Sequence, residues 1–184
     1  MFVRSAVPIA VLGLSLSAAG LVGAQQPASM FPTPAAPYPL DAVPDKMPFD
    51  IPYGPPISLE KAQAAIAAAV AESKKHDWKE AIAVVDSAAN LVALARMDGT
   101  QLASPPIAEH KARAAAMFRR DTKTFETGIQ QNGFVYLLTL DGMIGSRAGI
   151  PLVEDGKLIG AIGCSGGTGG QDEVVCKAGV ATIK

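Results

Sequence analysis

"AIAVVDSAANLVALARM", residues 81–97, decides the architecture. Two apolar runs, 81–86 and 91–97, flank the tetrapeptide Ser87-Ala88-Ala89-Asn90. A parallel crossover takes roughly a dozen residues or more, so a connection this short makes the two runs an antiparallel hairpin. The apolar residues of "AIAVV" are consecutive rather than alternating. That predicts a strand covered on both faces.

Working outward, "SLEKAQAAIAAAVAESKKH" (58–76) reads as a helix. Ser58 is the expected N-cap, Glu60 suits the positive helix end, and Leu59, Ala62, Ile66, Val70 and Ser73 fall near one face. On the other side, "DGTQLASPP" leads into "IAEHKARAAAMFRR". Ser104 is the expected cap there, with Pro105 and Pro106 in the first turn. A shorter helix over "TKTFETGIQQ" should be capped by Thr122 and stop near Asn132-Gly133. Three strands are predicted next: "VYLLTL" (135–140), "GIPLVE" (149–154) and "KLIGAIGC" (157–164). The Asp155-Gly156 turn joins the last two. A final helix begins around Gly170 and runs to the end. This order predicts an α/β (α+β) domain, an antiparallel sheet with helices packed on it, and not the alternating pattern of a dinucleotide fold.

The ends carry different information. Residues 1–24 have Arg4, an apolar stretch and Val22-Gly23-Ala24, the pattern of a secretory signal cleaved before Gln25. The mature chain is then periplasmic or secreted, without stable membrane insertion. Residues 25–56 hold ten of the fourteen prolines and predict an extended tether, neither helix nor central strand. Phe31, Tyr38, Phe49 and Tyr53 within it could dock on the domain or on a neighbouring subunit. Residues 57–184 remain as the folded domain, long enough for one core. Loss of Arg4 leaves 15 basic against 17 acidic residues, which argues against a nucleic-acid surface. Cys164 and Cys176 admit two readings, a disulfide in an oxidising compartment or a pair of buried thiols; without nearby histidines they are no zinc signature.

The motif order "SLEKAQAAIAAAVAESKKHDWKEAIAVVDSAANLVALARMDG", "KARAAAMFRR" and "GIPLVEDGKLIGAIGCSGGTGGQDEVVCKAG" resembles the GlcG/HbpS family of small haem-binding-type domains, over residues 57 to about 182. The resemblance implies a profilin-like α/β/α layering, frequent homo-oligomers, and binding of haem or a corrinoid-related ligand. This chain has Ala88-Ala89 where the family usually has a glycine pair in the first hairpin. It also has Ala114 where a threonine is common, and Cys164 where valine often stands.

Several residues are candidates for a ligand site. His110, within an apolar helix, could hold haem iron as a neutral imidazole, or could simply be exposed. Lys111 and Arg113 could pair with haem propionates or another carboxylate, the alternative being surface ion pairs with Glu109 as the available acid; Arg147 is another anion-binding candidate. The glycine-rich "GCSGGTGGQDEVVCKAG" (163–179) could offer backbone N–H groups at Gly166 and Gly167 to an anion. Asp172 and Glu173 oppose that and favour a tight strand-to-helix turn. Gly163-x-Ser165-x-Gly167 superficially matches a nucleophile elbow, for which only His76 and His110 could serve as base. His76 is better placed to cap a helix. The leading expectation is therefore an exported, oligomeric protein binding haem or a related tetrapyrrole. The alternatives are an enzyme positioning a small carboxylated or carbonyl metabolite with Lys111 or Arg113, and an accessory scaffold acting through its tether.

Overall fold

A computed structural model of the chain describes residues 43–184. Residues 1–24, where a signal is expected, and Phe31 and Tyr38 of the expected tether lie outside the described residues. The elements follow the order α1 (Leu59–Lys75), β1 (Ala81–Asp86), β2 (Leu91–Arg96), α2 (Ser104–Phe118), α3 (Lys123–Asn132), β3 (Gly149–Glu154), β4 (Lys157–Ser165) and α4 (Gly169–Val180). One sheet runs β2-β1-β4-β3 with every pair antiparallel. Helix α2 covers one face, and α1 with α4 covers the other. The predicted α/β/α layering is therefore correct. No described helix is long and apolar enough to cross a membrane.

The central positions of β1 and β4 explain their unbroken apolar sequences. Ala81–Val85 are fully buried, as are most residues of β4. Register sets Ile82 opposite Cys164 and Ala83 opposite Gly163. A side chain at Gly163 would collide with the Ala108 carbonyl and the Ala112 amide, so the α2 backbone lies directly on the sheet. Alanines 108, 112 and 115 give α2 the flat inner face this close approach requires.

Helix α1 starts as expected: Ser58 is extended (φ −72°, ψ 154°) and its Oγ accepts the Lys61 N–H at 3.2 Å. Its buried stripe is Ala62, Ala65, Ile66, Ala69 and Ser73. Leu59, expected on that face, is instead 54 % exposed at the first position of the helix. Helix α2 is capped at Ala103, not Ser104, and Ser104 and the two prolines form its first turn. Thr122 precedes α3, but its Oγ1 accepts the Gly149 N–H at 2.9 Å and so ties α3 to β3. In the first hairpin, Ala89 takes the positive φ of 64° that glycine would adopt without strain.

One predicted strand is absent. Residues Val135–Thr139 form a 3-10 helix, held by Leu137 N–H to Phe134 O at 3.0 Å and Leu140 N–H to Leu137 O at 3.2 Å. Only Leu137 of this run is buried, alongside Phe125 and Met143 in a small satellite cluster. A short apolar run has no periodicity to distinguish strand from helix, and local i to i+3 bonds satisfy its backbone here.

The end of the proline-rich segment is part of the structured body. Gly54 N–H donates to Leu158 O, Leu158 N–H to Pro52 O, and Ile57 N–H to Ile159 O, each at 2.8–2.9 Å. Tyr53 O–H donates to the Met117 carbonyl at 3.0 Å, and the Arg120 guanidinium lies 3.3 Å from the Phe49 ring centre. Phe49 and Tyr53 thus dock on the chain's own domain.

Candidate functional site

Helix α2 carries different chemistry on its two sides. Pro106, Glu109, His110, Arg113 and Met117 recur at helical spacing on the outer side, and with Gly142 they line an open pocket of 390 Å³. Gly142, in the loop after the 3-10 helix (φ 76°), abuts the Met117 thioether and closes one end. The His110 side chain is exposed, and among the described residues no hydrogen-bond partner fixes its ring. Arg113 pairs with Glu109 at 2.7 Å while remaining about half exposed. The pocket therefore offers an imidazole, a thioether and a guanidinium whose charge is partly balanced.

Lys111 is on the inner side. Successive helical residues point about 100° apart, so His110 and Lys111 cannot line the same pocket. Lys111 is 1 % exposed. Its ammonium donates to Asp172 Oδ2 at 2.7 Å and to the Cys164 carbonyl at 2.9 Å. As an anchor for propionate this expectation is corrected: the charge is buried and engaged by a carboxylate of α4.

Arg147 is similarly engaged. Its guanidinium pairs with Glu126 at 2.6 Å and Glu173 at 3.3 Å, and its backbone N–H donates to Glu126 Oε2. The Glu126 hydrogen bond is the main reason its pKa rises above the usual arginine value. Burial pushes the Glu173 carboxyl up, but Lys177 and Lys123 outweigh this and hold it below the ordinary range. Arg147 therefore binds acids of its own chain, which corrects its expectation as an anion site for a ligand.

The glycine-rich stretch is a strand-to-helix turn. Gly167 N–H donates to Asp172 Oδ1 at 2.9 Å. Thr168 and Gln171 form a reciprocal capping box, with the Thr168 N–H on Gln171 Oε1 and the Gln171 N–H on Thr168 Oγ1. Gly166 packs onto the backbone at Lys79 and Glu80, where any Cβ would collide. The Gly167 N–H, expected to face an anion, is thus taken by Asp172, and close packing accounts for glycine at 166. Cys164 and Cys176 form a disulfide (Cα–Cα 5.7 Å) that staples β4 to α4 across this turn. Ser165 is buried, its Oγ 3.4 Å from Ser104 Oγ, and no histidine reaches it. His76 ends α1, its ring stacked on Trp78 (centroids 4.3 Å) and 3.3 Å from Glu72. Among the described residues no group of three or more His, Cys, Asp or Glu could hold a metal ion.

Sequence reasoning missed Glu80. It is fully buried at the start of β1, and neither carboxyl oxygen has a hydrogen-bond donor. A polar residue just before a continuous apolar strand was the one available signal.

Comparison with known proteins agrees with this architecture. The model of the family described as "Haem degrading protein HbpS-like" matches residues 57–181. The chain belongs to the HbpS-like family. Protein GlcG of Escherichia coli is 41% identical over 109 residues, covering 59% of this chain and 81% of GlcG. A crystal structure of a double mutant of Streptomyces reticuli HbpS has a TM-score of 0.66 at 26% identity, covering 79% of this chain and 99% of that one. A PduOC:haem complex has a TM-score of 0.64 at 23% identity, covering 70% and 96%, and shows the shared fold alone. The HbpS-like match confirms the GlcG/HbpS resemblance read from the motifs.

Proposed function

We propose that this HbpS-like protein binds haem or a related tetrapyrrole in the pocket on the outer side of α2, with His110 as the iron ligand. The observation that carries this is the exposed His110 imidazole, unengaged by other side chains among the described residues, within an open pocket that also presents Met117 and Arg113. These residues fit the group: imidazole and thioether are iron ligands, and a guanidinium suits a propionate. Haem, when bound, would supply whatever redox chemistry the protein performs. The chain's contribution would be to orient the His110 ring, to offer Arg113 to a carboxylate, and to cover one face of the ligand with Pro106 and Met117. The family description supports the same ligand. The enzyme alternative loses its strongest anchor, because Lys111 is buried against Asp172.

Export to the periplasm or medium is part of this proposal. The signal-like first 24 residues support it, and so does a disulfide, which persists in oxidising compartments. Self-association is also proposed, supported by exposed Leu102, Val135 and Leu138 and by the exposed alanines 64, 67 and 71 of α1. Haem titration followed by absorbance tests the ligand. His110→Ala should lower affinity and move the Soret maximum, whereas His76→Ala, whose ring is held by Trp78 and Glu72, should do neither. Equal small effects with unchanged spectra would remove His110 as ligand, and no Soret change in the unaltered protein would remove haem.

A further inference from the structure

Glu80, Asp172 and Lys111 come from β1, α4 and α2, and each is at least 97 % buried. Each Asp172 oxygen already accepts one bond, Oδ2 from Lys111 and Oδ1 from Gly167 N–H, and each has a lone pair left for a second donor. Glu80 faces Asp172 closely enough to hydrogen-bond with it, yet neither Glu80 oxygen has a donor. Two carboxylates facing each other can only accept. With both ionised and Lys111 as the sole compensating cation among the described residues, the cluster would hold one uncompensated negative charge away from water, a strongly unfavourable arrangement.

We propose that Glu80 is a carboxylic acid in the folded protein, donating its proton to Asp172, and that this proton latches the glycine-rich turn and the start of α4 onto the start of β1. The proton answers both difficulties. It makes Glu80 a donor to Asp172, and it reduces the cluster to one carboxylate facing one ammonium. The turn rests directly on the latch, because a Cβ at Gly166 would fall on the Lys79 carbonyl and within 2.9 Å of Glu80 Oε2. Burial, then the Asp172 charge, raises the Glu80 pKa to about 8, with Lys111 opposing the shift. The charged groups facing Glu80 are Asp172 from α4 and Lys111 from α2; the Lys79 side chain pairs with Asp77 instead, and Arg96 donates to the Thr100 carbonyl. In alkali the Glu80 proton passes to hydroxide, both carboxylates are charged, and their repulsion weakens the seat of the turn.

The linkage sign is fixed. A carboxyl whose pKa rises from 4.5 to about 8 on folding binds a proton in the folded state that the unfolded chain has released. Its stabilisation is complete below the unfolded value and is lost as pH rises toward 8. Across that window the folding constant should fall about tenfold per pH unit from this group alone. The test is carbon NMR of the full-length protein labelled in the glutamate side-chain carboxyl, with Glu80 assigned through its backbone. The expected result is a protonated carboxyl at neutral pH that titrates near 8. A Glu80 signal already ionised at pH 6 overturns the proposal. Glu80→Gln, a neutral residue able to donate to Asp172, should flatten the pH dependence of unfolding between about 5 and 8 relative to the unaltered protein. Parallel stability profiles for the two proteins would equally overturn it. Because neither readout involves haem, failure here and failure of the His110 assignment are separate outcomes.

Discussion

Reducing the Cys164–Cys176 disulfide should cost the domain about 3 kcal/mol. The bridge spans a sequence separation of 12 and closes a loop containing the whole turn, the capping box and half of α4. In the chain-entropy treatment, closing a loop of that length in the unfolded state is worth roughly 3 kcal/mol at 25 °C. Both cysteines are fully buried, so Cys164→Ala combined with Cys176→Ala also removes packed sulfur and should cost about 1–2 kcal/mol more. The reduced native sequence keeps both sulfur atoms and isolates the cross-link. Urea unfolding followed by far-ultraviolet circular dichroism, with and without reductant, measures the difference. At a denaturant slope of about 1.5 kcal/mol/M, the reduced protein should unfold about 2 M earlier. Thiol labelling must show two free cysteines in the reduced sample and none in the oxidised one. Equal midpoints with the thiols demonstrably free would refute the reasoning, since the turn would then be as ordered without its staple.

Other perturbations report on separate parts of the structure. Lys111→Met leaves Asp172 buried without its cation and should cost about 3–5 kcal/mol in denaturant unfolding; a loss below 1 kcal/mol would mean that the pair carries little of the packing of α2. Thr168→Ala removes the capping box of α4 and should cost about 1 kcal/mol. Gly163→Val should prevent folding to a native circular dichroism spectrum, because its side chain would occupy the α2 backbone; a well-folded variant would contradict the close approach. Tyr53→Phe should lower stability by about 0.5–1 kcal/mol and increase proteolysis within residues 43–56, since the hydroxyl ties that segment to the end of α2.

The layered fold was legible because it rests on local and periodic signals. The four-residue hairpin connection, the consecutive apolar residues of β1 and β4, and the Ser58 cap each reflect a short-range constraint. "VYLLTL" carried no such constraint, and its solvent-exposed side chains gave no period to read. The site was legible only in part. His110, Arg113 and Met117 fall at i, i+3 and i+7, so helical spacing alone groups them. Lys111, Asp172 and Glu80 are joined only by tertiary packing of three elements, and no sequence pattern reports which acid a lysine meets. Arg147 was read as an anion site for the same reason: its partners Glu126 and Glu173 lie 21 and 26 residues away. Phe49 and Tyr53 were visible as aromatic residues among prolines, but their seats on Arg120 and on the end of α2 were not.

The two sides of α2 depend on each other. The imidazole proposed to hold haem, on the exposed side of α2, needs a rigid backbone beneath it, because every degree of freedom lost on binding weakens the complex. Lys111, the next residue, holds that turn of α2 to both β4 and α4 through the Cys164 carbonyl and Asp172. Ala108 and Ala112, on either side of His110 along the inner face, rest on the sheet at Gly163. At the far end Tyr53 bonds the Met117 carbonyl, so this lining residue of the pocket is held by the segment preceding the domain. Preorganisation of the pocket therefore comes from contacts that never touch its contents. A variant such as Lys111→Met should accordingly weaken haem affinity without moving the Soret maximum, the opposite of what loss of the His110 ligand would do.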